Sequence, residues 1–231
     1  MSTHKITVAM ITKNEEGAVG KVIQDVRREV PEAEILIVDS SKDHTAEIAQ
    51  QLGAHVIKQF PPKGYGPAMD LALRSASGDV VVTIDCDDTY PINRVREMAG
   101  YVTSGQYDLV DASRLERKPK AMPWINYLAN WGFAAIASLF MGQRLTDLHS
   151  GMRAYSRQLI HELPWDPNGA ALPVELLLLP LAKGKRLKVV FIEYKDRIGQ
   201  STMNPLPSAW MTWKRILRCW RERRRTVPGK L

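Results

Sequence analysis

Cysteine is scarce in this chain of 231 residues: Cys86 and Cys219 stand far apart and show no metal-ligand spacing. That excludes a disulfide framework and a thiolate metal centre, and it fits a reducing compartment, the cytosol. No G-x-G-x-x-G run and no P-loop pattern occurs, which disfavours dinucleotide oxidoreductases and phosphate-cradling NTPases. The apolar stretch near the N-terminus, Ile6–Ile11, gives way to Lys13 and Glu15. It is too short for a signal peptide and reads as a first strand. Acids are scarce at the other end. From Lys214 onward eight Lys and Arg face one acid, Glu222, so the tail carries the whole excess of the +7 net charge. A near-neutral body with a basic tail argues against a nucleic-acid partner and for a local electrostatic contact.

What is present is an alternation of strand and helix signals. With 45% hydrophobic residues the chain can bury one sizeable core. Strands are expected at Ile6–Ile11, Glu34–Asp39, Ala54–Ile57, the run closing at Asp85, and Tyr107–Val110. Helices are expected over 16–29, 44–52, Pro67–Ser77 and Pro91–Ser104. This order predicts an α/β fold with a mixed, mostly parallel sheet and helices on both faces. Further on, the pattern gives a helix near 171–183, interrupted by Pro180, and a strand at Leu187–Tyr194.

Two later segments have their own character. Trp124 to Gly142 contains no charged side chain and is long enough to cross a bilayer. Asn126, Asn130, Gly132 and Ser138 weaken that reading, and leave a helix packed on the core or one lying in a membrane interface. In the tail, a helix over 206–225 would set Leu206, Trp210, Trp213, Leu217 and Trp220 on one arc, with Lys214, Arg215, Arg218, Arg221 and Arg225 on another. Such a helix suits either an anionic lipid surface or docking on its own body by the tryptophans. The division expected is 1–203 for the body, including the apolar segment at about 122–142, and 204–231 for the tail.

The chemistry is most visible at Val80–Pro91, where a strand-forming run ends in Asp85, Asp87 and Asp88. Ligands collect beyond the carboxyl ends of strands in open α/β sheets. Acids this close repel unless they share a cation, and a hard divalent ion such as Mg2+ or Mn2+ that also holds phosphate oxygens resolves the conflict. The plain alternative is a solvated turn. Thr12, Asn14 and Glu15 follow the first strand, Asp39, Ser40 and Ser41 the second, and Lys63 and Gly64 the third. Four successive strand ends with polar residues suit a nucleotide, although Asp39 alone could cap the next helix. Glu175, on an apolar helix, reads either as a buried, hydrogen-bonded acid or as lining an acceptor channel.

Thr-Lys-Asn-Glu at 12–15, Ile-Val-Asp-Ser-Ser at 37–41, Lys-Gly-Tyr-Gly-Pro-Ala at 63–68 and Gly-Asp-Val-Val-Val-Thr-Ile-Asp-Cys-Asp at 78–87 together resemble inverting glycosyltransferases of family 2. Ala-Ser-Arg at 112–114, Thr-Asp-Leu-His-Ser-Gly-Met-Arg-Ala-Tyr at 146–155 and Asp-Arg-Ile-Gly-Gln-Ser at 196–201 continue the likeness. Within the family the chain is most similar to dolichol- or polyprenyl-phosphate sugar synthases. The resemblance implies a GT-A fold and a nucleotide sugar donor of the GDP-mannose or UDP-glucose class. It also implies a polyprenyl phosphate acceptor and a peripheral station at the cytoplasmic face of a membrane. It implies further that Asp39 holds the base, with Thr12, Asn14, Glu15 and Lys63 on the donor. Asp85 and Asp87 would be the D-x-D pair on Mg2+ or Mn2+, with Asp85 also at the donor. Arg114, Arg153, Arg197 and Ser201 would receive phosphates. Asp147 would lie at the sugar, and Asp147 and Arg197 would serve the chemistry. An acceptor phosphate is already anionic, whereas a hydroxyl acceptor would need a base, for which Asp147 is the candidate. The family's Asp-Asp-Gly-Ser after strand two is replaced by Asp39-Ser40-Ser41, and no arginine lies between Arg117 and Arg144. Nucleotidyl transfer is a rival, but Thr12–Gly17 lacks the glycine-rich basic loop it needs. A membrane or RNA adaptor using the basic tail is another.

Overall fold

The computed structural model describes residues 4–120, 122–198 and 205–226. Seven strands form one sheet: β1 (Ile6–Thr12), β2 (Glu34–Asp39), β3 (His55–Lys58), β4 (Val80–Thr83), β5 (Leu109–Ser113), β6 (Arg153–Ser156) and β7 (Leu187–Phe191). Their order is β3-β2-β1-β4-β6-β5-β7. All neighbours are parallel except β6, which runs antiparallel to both β4 and β5. The strands are apolar on both faces because both faces are covered. In β1, Ile6, Val8 and Met10 enter one buried cluster with helices α1 (Glu16–Glu29), α2 (Thr45–Gln51) and α4 (Val95–Thr103). Ala9, Leu36 and Val38 point the other way. They meet α3 (Tyr65–Ser75), α5 (Trp124–Met141), α6 (Arg157–Glu162), α7 (Leu172–Ala182) and α8 (Pro205–Thr226).

The sheet order decides where the chemistry lies. β4 sits at the centre, beside β1, so the residues after Thr83 emerge between the ends of β1 and β6. β6 is antiparallel and pairs Arg153 with Thr83, so the loop that precedes it is carried to the carboxyl edge of the parallel strands. There the Thr83 hydroxyl donates to the Gly151 carbonyl at 2.9 Å. β6 is the strand the sequence pattern does not announce: four residues, Arg-Ala-Tyr-Ser, one of them charged. β4 stops at Thr83, two residues short of Asp85, and β7 ends at Phe191, before Tyr194. Pro180 lies within α7 but falls in its last turn, so the helix is not broken there.

α5 keeps the extent expected of the uncharged segment, but it lies against the body. Ala134, Ala137 and Met141 are buried, whereas Trp124, Ile125, Leu128, Trp131 and Leu139 are exposed. Among the described residues no helix is long and apolar enough to cross a membrane. α8 packs on α5 and α7, and the face it buries is not the arc of tryptophans. Thr212, Arg215, Ile216 and Cys219 are buried. Trp213 and Trp220 are half-buried beside Phe140, and Trp210 is exposed. Arg215, expected on the solvated basic arc, is instead an inward residue paired with Glu175. Glu175 is therefore a buried, ion-paired acid, joined also by Arg218 at 3.3 Å.

Candidate active site

Three groups of side chains line the carboxyl edge. The first joins the ends of β1, β2 and β3. Asp39 is wholly buried and accepts from the Thr12 hydroxyl at 2.7 Å, the Ser41 hydroxyl at 2.5 Å and Lys58 Nζ at 2.7 Å. Burial works to raise its pKa, but the bonds from Lys58, Ser41 and Thr12 outweigh it and hold it below the usual carboxylate value. Asp39 does not cap α2; Asp43 accepts from the Thr45 amide at 3.1 Å instead. Asn14 adopts a positive φ of 59°, which asparagine tolerates. Its amide donates to Ser41 Oγ and its side-chain oxygen accepts from the Lys42 amide. Lys58 was not singled out by the sequence, although its place at the end of a strand beside Asp39 was the available signal. Lys63 is exposed and meets no partner among the described residues.

The second group surrounds the acidic turn. Nothing among the described residues donates to the Asp85 carboxylate, and burial together with Asp87 raises its pKa to about 6. The carboxylate lies against Gly151: a Cβ there would stand 2.5 Å from Asp85 Oδ2. Asp87 accepts from the Thr89 amide and hydroxyl through Oδ1, and its Oδ2 faces Arg197 Nε at 3.5 Å. Arg197 also donates to Glu15 at 2.8 Å. Burial still pushes the Glu15 carboxyl up. The segment after β7 thus crosses the acidic turn, with Lys195 N on Thr89 O and Ile198 N on Asp87 O.

The third group centres on Asp147, which is fully buried. Its two oxygens take the Arg114 side chain in a fork at 2.7 and 2.9 Å, and the Arg114 and His149 amides donate as well. Burial opposes ionisation, but the Arg114 charge and hydrogen bonds prevail and bring the Asp147 pKa to about 2. Arg114 lies over the Tyr194 ring at 5.1 Å, and Tyr194 meets Tyr90 edge-on. Arg153 is placed beneath the site. It is 1% exposed and donates to Asp111 and to the carbonyls of Pro173, Leu148 and Asp147. With every guanidinium nitrogen so committed it braces the sheet against the loop, where the sequence reading had it receive a phosphate. Ser201 lies outside the described residues.

The donor set at Asp85 and Asp87 is all oxygen, with one carboxylate free of protein donors, and it suits a hard ion that keeps coordination positions for phosphate. Among the described residues no three His, Cys, Asp or Glu side chains gather to hold a metal unaided. Residues 7–163 match the model of glycosyl transferase family 2. The chain belongs to that family. This family 2 glycosyltransferase is 39% identical over 222 residues to a dolichyl-phosphate hexose transferase of Haloferax volcanii, covering 95% of the chain and 96% of the relative. It is 26% identical to an undecaprenyl-phosphate mannosyltransferase of Micrococcus luteus, over 87% and 88% of the two chains. The GT-A fold is shared with glucosyl-3-phosphoglycerate synthase of Mycobacterium tuberculosis, solved with Mn2+, UDP-glucose and phosphoglyceric acid. There the TM-score is 0.74 at 23% identity, over 98% of this chain and 81% of that one.

Proposed function

We propose that this glycosyltransferase moves a hexose from a nucleotide diphosphate sugar to a polyprenyl phosphate, with inversion at the anomeric carbon. The observation that carries the choice of acceptor is the state of Asp147. A hydroxyl nucleophile needs a base, and the carboxylate in that position is forked by Arg114 with a pKa near 2. An acceptor that brings its own negative charge needs only to be aligned, which planar arginine donors do well. The names of the two polyprenyl-type relatives support the same class.

In this reading the first group, Asp39 with Thr12, Asn14 and Lys58, receives the nucleoside. Asp85 and Asp87 hold Mg2+ or Mn2+, which when bound neutralises the leaving diphosphate as a Lewis acid. Gly151 leaves the space that lets Asp85 point where it does. Arg197, now tied to Glu15 and Asp87, turns to a phosphate oxygen when donor enters. Arg114 keeps Nε and Nη2 on Asp147 and offers its remaining donors to the acceptor phosphate. The exposed side of α5 and the basic end of α8 hold the enzyme at the lipid surface, at the cytoplasmic face where nucleotide sugars are available.

The test is a screen of GDP- and UDP-sugars with Mg2+ or Mn2+, with polyprenyl phosphate or a soluble hydroxyl acceptor. Transfer to the polyprenyl phosphate alone is expected. Asp87→Ala should abolish it, and Gly151→Ala should cut it at least about tenfold by displacing Asp85. Full activity in Asp87→Ala, or transfer to the hydroxyl acceptor alone, would overturn the reading.

A further inference from the structure

α8 makes a polar contact at the catalytic edge. Thr212 is 1% exposed, and its hydroxyl lies 2.8 Å from His149 Nε2, a residue 63 positions earlier. His149 in turn donates its amide to Asp147 Oδ1 at 3.0 Å, the oxygen that also takes Arg114 Nη2. Among the described residues its other ring nitrogen, Nδ1, has no partner, nor does the Thr146 hydroxyl. Phe133 of α5 touches the ring edge-on at 6.1 Å between centroids. Among the described residues Thr212 is therefore the one polar hold on the His149 side chain.

We infer that Thr212 is a positioning residue for the Asp147–Arg114 fork, acting through His149, so that the seating of the last helix sets the geometry of the arginine offered to the acceptor phosphate. This rests on the acceptor reading above. The contact is in fixed register because the stretch of α8 that follows it is held by other bonds. Arg215, one turn further on, donates to Glu175 and to the Asn168 carbonyl. Arg223 donates to the Phe140 carbonyl at 3.0 Å. A ring that lost its hydroxyl partner would keep only the Phe133 contact among the described residues, and the loop that carries the His149 amide would be tied less firmly to α8. The loosening passes to Asp147, then to Arg114 and the Tyr194 ring beneath it. The donor side has its own supports in Asp39, Lys58 and the acidic turn, none of which touches His149. Arg114 bears on Asp85 only through its charge, so the effect falls mainly on the acceptor.

Thr212→Val keeps the shape of the side chain and removes only the hydrogen bond; Thr212→Ser restores it. Arginine Nε–H NMR of the full chain, with the Arg114 signal assigned by its loss in Arg114→Lys, should show that signal shifted and exchanging faster in Thr212→Val and restored in Thr212→Ser. In assays with polyprenyl phosphate, Thr212→Val should raise the acceptor KM by roughly two- to tenfold, the worth of one hydrogen bond. Donor KM should move less than acceptor KM, and Tm should fall only by what one buried hydrogen bond contributes and recover in Thr212→Ser. An unchanged Arg114 signal in Thr212→Val would overturn the inference, as would an equal loss in both KM values with a lowered Tm that serine does not rescue. The NMR readout needs no substrate, so it decides the coupling even if the wild type proves to use a different acceptor.

Discussion

Burial raises the pKa of both acids that matter most here, yet their net shifts are opposite because their partners differ. Among the described residues Asp85 meets no donor; burial, with Asp87 beside it, raises its pKa to about 6. Asp147 is more deeply placed but is gripped by Arg114, and falls to about 2. His149, next to that pair, shows the same competition in a base. Burial lowers its pKa to about 4; the Asp147 charge pulls upward, and Arg114 and Arg153 add to the lowering. A histidine depressed in the folded state contributes stability that is full above its unfolded value of about 6.5. That stability is lost as pH falls towards 4, because the unfolded chain takes up the proton first. His149→Gln should therefore remove part of the acid sensitivity. Thermal melts of wild type and variant between pH 7.5 and 4 should converge or cross, the wild type losing on the order of 1–2 kcal/mol relative to the variant. Parallel curves would show that His149 does not titrate in this window. The strand-end pattern picked out Asp39, Asp85 and Asp87, the family resemblance picked out Arg114, Asp147 and Arg197, and the fold brings these residues to one edge of the sheet. Neither signal could reveal that Arg153 faces inward or that Lys58 sits on Asp39, because both depend on which strand lies beside which.

α8 illustrates how far helical periodicity carries. Its extent and its two-sided composition were readable, since tryptophan and arginine alternate with the right spacing. Which side faces the body was not, because arginine is rarely an inward residue, and here Arg215 is 7% exposed. The explanation lies in α7, whose Glu175 is wholly buried and requires a cation from a neighbouring element. The parallel strands β1 to β4 were likewise legible from their apolar runs. β6 was missed because a four-residue strand between two others carries no run of its own, and it is recognised only by its pairing with Thr83 and Asp111. The Glu175–Arg215 pair is one hold of α8 on α7, beside Arg218 and the buried Ile216 and Cys219. Removing one partner leaves a buried charge alone, so Arg215→Ala should cost about 3–5 kcal/mol, moderated by Arg218. The double replacement Glu175→Leu with Arg215→Met removes both charges and should recover most of that loss. Urea denaturation of the single and double variants makes the comparison, and an Arg215→Ala protein as stable as wild type would mean that α8 is seated by its apolar contacts alone.

The molecule as a whole has one side unlike the rest. Along α5, Trp124, Ile125, Leu128, Trp131, Ile136 and Leu139 are all exposed, Leu139 at 78%, and they fall within one broad stripe opposite the buried Ala134, Ala137 and Met141. An apolar stripe of this length is unusual on a free surface. Two exposed tryptophans each carry a lysine over the ring: Lys118 on Trp124 at 5.1 Å and Lys214 on Trp210 at 5.2 Å. Tryptophan with a nearby cation suits the depth of lipid headgroups, where the ring is half immersed and the ammonium meets phosphate. The tail adds Arg221, Arg224 and Arg225, all exposed. Two contributions with different signatures follow. Apolar burial by α5 is insensitive to salt, whereas attraction of the arginines to an anionic surface is worth about 1 kcal/mol per charge and fades within a Debye length. Sedimentation with vesicles of neutral or anionic lipid, at low and high salt, should separate them. Ile125→Glu with Leu139→Glu should weaken binding to both vesicle types by at least about tenfold. Arg221, Arg224 and Arg225 changed together to Gln should weaken binding only to anionic vesicles, and chiefly at low salt. If the wild type stays in the supernatant with both kinds of vesicle, the proposed lipid acceptor would have to be drawn from the bilayer by some other means, and the stripe on α5 would need a protein to cover it.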